Sequence, residues 1–449
     1  MQRHVRMAAL AGVAAAALAG PARAQTAEPI RYESFTLDNG LQFIVHEDHS
    51  VPVAHVEVWY DVGSAHEPPG RSGFAHLFEH MMFIETTNLE RGRFDALITG
   101  AGGSLNGTTN KDRTAYFETV PSNQLNVALW LEADRMTNLV VNEENFRRER
   151  EVVKEERRLR VDNQPYGKAL WEVMDTLAID YGPYEHSVIG SMEDLDAATG
   201  DDAREFYERF YVPNNAAVVV AGDVTVAQVR ALAEEYFGHM RRGPDVAPLP
   251  PVTNVPRADG PRDVTLTDEL ATLPLITEAY AIPEHVHPDA RALSLLGSIL
   301  MGGESSRLYQ RLVKEEKVAL QVGGGASSGL GPGTLQIFAL PNQGVDVSRL
   351  RTLVREELDR LLRDGVTERE LQKVKNQTRA GMIMGRQTVA AKASQLHHYR
   401  VMHGEIGAIN EDLDAFMRVT TADILRVARQ YITPGNRTTL VVRPASSST

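Results

Sequence analysis

The sequence predicts an α+β protein of two homologous domains, each a mostly antiparallel sheet packed with helices, joined by a proline-rich linker. Three observations predict it. Strand-like and helix-like patterns are segregated within each half of the chain, where a parallel α/β fold would alternate them strictly. Both halves close on the same signature of an aromatic helix end, a Pro/Asn turn and an apolar strand. It reads Tyr211-Val212-Pro213-Asn214-Asn215 before Ala216 to Ala221, and Tyr431-Ile432-Thr433-Pro434-Gly435-Asn436 before Thr438 to Val442. Between the halves, Pro244, Pro248, Pro250, Pro251, Pro256 and Pro261 are too dense for a regular helix or a central strand. The expected division is a leader over 1–24, a first domain over 25–240, a linker over 241–261 and a second domain over 262–449.

The composition limits the chemistry. With 24% charged and 43% hydrophobic residues in 449, the chain is a folded globular protein. A net charge of -13 argues against nucleic acid or an anionic membrane surface as a partner. The absence of cysteine excludes disulfide frameworks, zinc fingers, iron–sulfur clusters and thiol nucleophiles, so any metal falls to the 14 histidines and the carboxylates.

Taken in order, the elements begin with a leader. Arg3 and Arg6 precede an apolar run from Met7 to Ala19, and Ala22-Arg23-Ala24 forms a small-residue cleavage site before Gln25. The run is too short to span a bilayer, so the expectation is a secreted, periplasmic protein with no membrane span. Leu41 to Val45 and Val53 to Tyr60 alternate in the manner of paired strands, and helical patterns follow around 72–84, 122–137 and 142–160. The second half repeats the plan with strands at Val264 to Leu266 and Leu275 to Tyr280, and helices near 288–300, 304–316 and 346–363. The glycine-rich run Gly323 to Gly333 lacks the lysine and Ser/Thr of a phosphate loop and is expected to be a flexible loop near the interface. His397 and His398 read as packing or surface residues of a helix, and His285 and His287 receive no role.

The chemistry gathers in Gly73-Phe74-Ala75-His76-Leu77-Phe78-Glu79-His80-Met81-Met82-Phe83. On a helix, His76 and His80 at i and i+4 stack on one face and can reach one ion. Glu79 lies beside them, suited to be a general base toward a metal-bound water. The order H-x-x-E-H inverts the common zinc-protease motif. A third ligand is needed. In the charge-dense stretch Asn145 to Glu156, Glu149 and Glu156 are two helical turns apart on one face, so one can ligate while the other supports it.

These residues resemble the pitrilysin or insulinase-like (inverzincin) zinc metallopeptidases, and within them the processing-peptidase branch, as its zinc-bearing subunit. The resemblance spans nearly the whole chain and includes Val62-Gly63-Ser64, Glu67, Gly102 to Thr109, Asp112 and Thr114. It implies that His76, His80 and Glu156 bind one Zn2+ per chain, that Glu79 is the catalytic base and that Glu149 assists from behind, with Glu155 the competing third ligand. It also implies that Asn106, Gly107 and Thr108 lie on an edge strand that binds a peptide substrate. The family further places an Arg and a Tyr from the second half at the transition state, where this chain has Val313 and Leu320. The expected function is therefore a zinc metalloendopeptidase working as the zinc subunit of a heterodimer, its homologous partner supplying the Arg/Tyr pair. A homodimer is the alternative assembly, and a non-catalytic structural or assembly subunit of the same fold is the alternative function.

Overall fold

A computed structural model describes residues 28–445; the leader expected over 1–24 lies outside them. The first sheet comprises β1 (Glu33–Thr36), β2 (Gln42–Glu47), β3 (Val53–Tyr60), β4 (Ser104–Thr109), β5 (Thr114–Pro121) and β6 (Ala216–Gly222), in the order β1-β2-β6-β3-β5-β4. The second comprises β7 (Arg262–Asp268), β8 (Leu275–Ile282), β9 (Ala319–Ser327), β10 (Gly333–Pro341) and β11 (Arg437–Pro444), in the order β7-β11-β8-β10-β9. Without β1, the two orders are the same. Each sheet has one parallel pair, β2 with β6 and β7 with β11, and its other pairs are antiparallel.

The duplication extends to single hydrogen bonds. Thr199 and Asp202 form a capping box at the start of the Gly200–Phe210 helix, as Thr420 and Asp423 do for the Thr421–Tyr431 helix. The turns that follow are closed alike: Asn215 Nδ2 donates to Phe210 O at 2.9 Å, and Asn436 Nδ2 to Tyr431 O at 2.8 Å. The repeated Pro/Asn signature thus marks a repeated device that satisfies helix-end carbonyls before a central strand begins.

Several expectations are corrected. The strands over 41–45 and 53–60 do not pair with each other, because β6 lies between them. All seven residues of β6 are buried, and a strand that apolar takes the sheet interior, with β2 and β3 flanking it. The expected flexible loop over Gly323 to Gly333 is largely strand: Gly323 to Ser327 complete β9, and Gly333 begins β10. Glycine is required here, since a Cβ on Gly324, at φ +133°, would lie 1.9 Å from Gln336 O. The remaining turn does meet the first half, where Leu330 N donates to Asp112 Oδ2 at 3.1 Å and Gly331 N to the Tyr184 hydroxyl at 2.8 Å.

The helices over 72–84 and 142–160 are shorter, at Phe74–Met81 and Glu143–Arg157, the latter capped by Asn142 and followed by a wide π turn, Arg158–Asp162. The region 304–316 is a short helix, Arg307–Tyr309, running into a second π turn, Gln310–Glu315. Among the described residues, no helix is long and apolar enough to cross a membrane.

Each sheet is covered on one face by its own helices and on the other by the opposite half. The Val389–His403 helix, from the second half, lays Val389, Ala393, Leu396 and Tyr399 against Ile44, Val219 and Ala221. In return, Ala169, Met174, Ala178 and Ile179 from the first half cover Leu275, Ala279, Leu440 and Val442. The polar positions of β3 face this crossing helix. Ser394 donates to the Glu57 carboxylate at 2.9 Å, and His397 stacks on Trp59 with ring centroids 4.9 Å apart. His397 Nε2 donates to Glu57 O at 2.9 Å, and burial holds this imidazole neutral, its pKa pushed down to about 3. Lys392 with Asp48 and Arg400 with Asp61 flank the contact.

This arrangement makes His397 a keystone between the halves. His397→Ala should cost about 2–4 kcal/mol by leaving a cavity beside Trp59 and an unpaired carbonyl. Urea unfolding of the variant against the parent measures this, and a loss below about 0.5 kcal/mol would contradict the packing described.

Candidate metal centre

The Phe74–Met81 helix buries Phe74, Ala75, Leu77, Phe78 and Met81, which leaves the turn carrying His76, Glu79 and His80 on its open side. Its N-cap is Gly73, which has no side chain to satisfy the first amides. Glu67 does so instead: its buried carboxylate accepts from Gly73 N at 2.9 Å and Ala75 N at 2.8 Å. Burial pushes the Glu67 pKa well up, against the pull of those amides. Glu67, which the sequence placed only as a residue preceding the helix, fixes its origin.

The Glu143–Arg157 helix brings Glu156 over the two histidines. Glu156 Oε2 lies 3.1 Å from His80 Nε2 and 3.6 Å from His76 Nε2, and the three donor atoms lie within 4.8 Å of one another. A tetrahedral zinc ion with bonds of about 2.0–2.1 Å spaces its donors by about 3.3 Å, so the set fits such an ion. The competing Glu155 turns outward with its side chain 60% exposed and pairs with Arg158 at 2.7 Å. Burial, reinforced by the charge of His80, pushes His76 down to about 4 and leaves it neutral with a free lone pair. His80 is raised: burial opposes its charge, but the hydrogen bond and charge of Glu156 outweigh that. The second oxygen of Glu156 forms an ion pair with Arg160 Nη1 at 2.9 Å.

Glu79 sits on the same helical turn. Thr109 Oγ1, at the end of β4, donates to Glu79 Oε2 at 2.6 Å, and burial raises the Glu79 pKa against this bond. Such a carboxylate takes a proton more readily than an exposed one. Glu149, one face with Glu156, is buried; its Oε1 accepts from Arg91 Nη1 at 2.7 Å, and Arg91 Nη2 reaches Asn145 Oδ1 at 3.3 Å. Glu149 therefore pairs with Arg91 and is not one of the three converging donors. Arg91 escaped sequence reasoning, and Thr109 and Asn145 were read only as members of longer stretches, because none stands at a helical spacing from the motif.

β4 is the free edge of the first sheet and runs across the mouth of the site. A Cβ on Gly107 would come within 3.0 Å of Glu79 Cγ and 3.1 Å of Phe83, so a larger residue would have to push these side chains aside by a few tenths of an ångström. Gly107 N donates to Asn106 Oδ1 at 2.9 Å, while Thr108 O accepts from Arg113 Nη1 at 2.6 Å. Beyond the strand opens a chamber of about 1040 Å³ between the halves, reached by His76, Glu156, Trp171, Tyr184, Gln336 and His398. That volume exceeds a drug-sized pocket and suits an extended chain. The second half supplies no Arg/Tyr pair at the expected positions. Val313 packs on the second core, Leu320 lies 59% exposed on β9, and Arg311 is drawn to Glu316 and Glu356 at 3.0 and 3.6 Å.

Residues 42–190 match the Insulinase (Peptidase family M16) domain, and residues 197–378 match the Peptidase M16 inactive domain. Zinc protease PqqE of Helicobacter pylori is 32% identical over 415 residues, 92% of this chain and 93% of that protein. The chain belongs to the M16 family. A crystal structure of a protease from Helicobacter pylori superposes on this M16 chain with a TM-score of 0.86 at 31% identity, covering 92% of this chain and all of that one. A second relative, the uncharacterized zinc protease ML0855 of Mycobacterium leprae, is 30% identical over 400 residues, 88% of each chain. Kinship thus assigns the M16 chain a peptidase character, and its relatives are named for zinc.

The geometry fixes how the metal-free imidazoles titrate. In a 15N-imidazole NMR titration of the chelator-treated chain, His76 should stay neutral down to about pH 4, whereas His80 should protonate above the ordinary 6.5. Two imidazoles titrating together near 6.5 would contradict the convergence on Glu156.

Proposed function

We propose that this chain is a zinc-dependent endopeptidase that hydrolyses peptides or extended segments, acting in the periplasm as the zinc-bearing subunit of a heterodimer. The observation that carries the reading is the convergence of His76 Nε2, His80 Nε2 and Glu156 Oε2 beside Glu79, on a helix that an edge strand crosses. His76, His80 and Glu156 would hold one zinc ion per chain. Bound there, zinc supplies Lewis acidity, lowering the pKa of water toward about 7 and polarising a peptide carbonyl.

The protein's own residues do the rest. Glu79 takes the proton of the attacking water and returns it to the leaving nitrogen, and its buried setting raises its affinity for that proton. Thr109 holds the carboxylate toward the substrate strand. Glu149, neutralised by Arg91, steadies the Glu156 helix from behind. Asn106, Gly107 and Thr108 offer backbone groups to which an extended peptide adds as a further strand, once the Asn106 and Arg113 side chains yield their bonds. Recognition through main-chain groups tolerates varied sequences.

Two further elements rest on the sequence. The leader over 1–24 supports export. Val313 and Leu320, neither able to donate to an oxyanion, support a homologous partner that brings the Arg/Tyr pair. The alternative, a non-catalytic subunit of the same fold, leaves two histidines and two glutamates converging without purpose.

Glu79→Gln should retain zinc while lowering kcat for an unstructured peptide by about 100- to 10,000-fold. His80→Ala should lose both zinc and cleavage. A parent chain with no chelator-sensitive cleavage, alone or with its partner, would instead establish the scaffold. The isolated chain should cleave slowly, and a homologue bearing the Arg/Tyr pair but no His-x-x-Glu-His should raise the rate by about 100- to 1,000-fold. Full activity of the isolated chain would overturn the divided site.

A further inference from the structure

Three histidines from distant stretches meet on the second-half side of the chamber. His398 and His403 lie on the Val389–His403 helix, and His285 lies in the loop after β8. Each offers one ring nitrogen, and the three nitrogens lie within 4.8 Å of one another. Ring centroids are 5.0 Å apart for His285 and His398, 5.4 Å for His285 and His403, and 6.5 Å for His398 and His403. His403 Nε2 is buried with no hydrogen-bond partner, an arrangement costly for a neutral imidazole unless something else takes its lone pair or proton.

The surroundings prepare the cluster. Asp412 is the nearby carboxylate, but it is already engaged, accepting from Arg291 Nε at 2.6 Å and from the Tyr399 hydroxyl at 2.8 Å. The Tyr399 ring in turn stacks on His403 at 4.8 Å. His285 N donates to Gly329 O at 2.9 Å, which ties the loop to the glycine turn that also bonds Asp112 of the first half. The cationic neighbours are Arg291 and Arg113. Burial, then the charges of His285 and His403, push His398 down to about 4, and burial also lowers His285 and His403.

We infer that His285, His398 and His403 form a second metal site, separate from His76, His80 and Glu156, for a divalent transition ion of the zinc class. An all-imidazole set suits zinc, copper or nickel and disfavours magnesium and calcium, which require oxygen ligands. Three protein ligands leave a fourth position of a tetrahedral ion open. Because His398 lines the chamber, the ion is reached from the same space as the first centre, and the open position can take a carboxylate of a chain held there. The ion also fastens the loop after β8 to the crossing helix.

The test uses zinc and Co2+ alone as probes of the full chain after chelator treatment. The parent should bind two equivalents by isothermal titration and elemental analysis. His76→Ala/His80→Ala should keep one equivalent and, with Co2+, show the visible absorption of a tetrahedral ion; this arm is independent of the peptidase reading. His398→Ala/His403→Gln should also keep one, and the combined variant none. His285→Gln, placed in a loop where helix stability is not at stake, should weaken the second equivalent at least about 10-fold. No equivalent in His76→Ala/His80→Ala with an unchanged circular dichroism spectrum, or a parent equivalent unaffected by His398→Ala/His403→Gln and lost in His76→Ala/His80→Ala, would overturn the inference.

Discussion

Neither sheet of this protein is complete without the other half of the chain. β6 and β8 are buried along their whole length, and in each sheet the second face is covered by helices from the opposite domain. Burial on that scale, at about 25 cal/mol per Å² of apolar surface, ties the halves into one unit. It also sets the chamber between them, because the crossing helix and the 169–179 segment fix how closely the two sheets face each other. The candidate metal centre and the end of β4 open onto that chamber.

Within that frame, the candidate metal centre is built from two helices whose ends are separately anchored. Glu67 caps the helix of His76 and His80, and Asn142 caps the helix of Glu156, so the donors approach one another without relying on a loop. Arg91 pairs with Glu149 on the Glu156 helix, and Thr109 ties the proposed base to β4. Donors held by rigid elements and oriented by a surrounding layer of hydrogen bonds are what a preorganised centre needs.

Much of this was legible in the sequence, for reasons that differ by element. His76, Glu79 and His80 could be read together because helical spacing alone puts them on one turn. Glu156 was narrower than spacing could decide: its convergence on the histidines, and the outward turn of Glu155, come from how two helices pack. The duplication was visible in the repeated Pro/Asn turns, but the strand order, with β6 between β2 and β3, was not, since local alternation says nothing of which strand takes the centre. The glycine run looked like a loop by composition, whereas its glycines clear space for Phe338 and the Gln336 carbonyl in a strand. His285, His398 and His403 carried no signal, because 113 residues separate the first from the second and five place the third on a different helical turn.

The central claim is that His76, His80 and Glu156 hold one zinc ion beside Glu79. Anomalous difference maps from crystals of the zinc-replete chain, recorded on both sides of the zinc absorption edge, test it most directly. The account predicts a peak about 2.0–2.2 Å from His76 Nε2, His80 Nε2 and a Glu156 oxygen. Zinc-saturated crystals with no peak among those three atoms would contradict it.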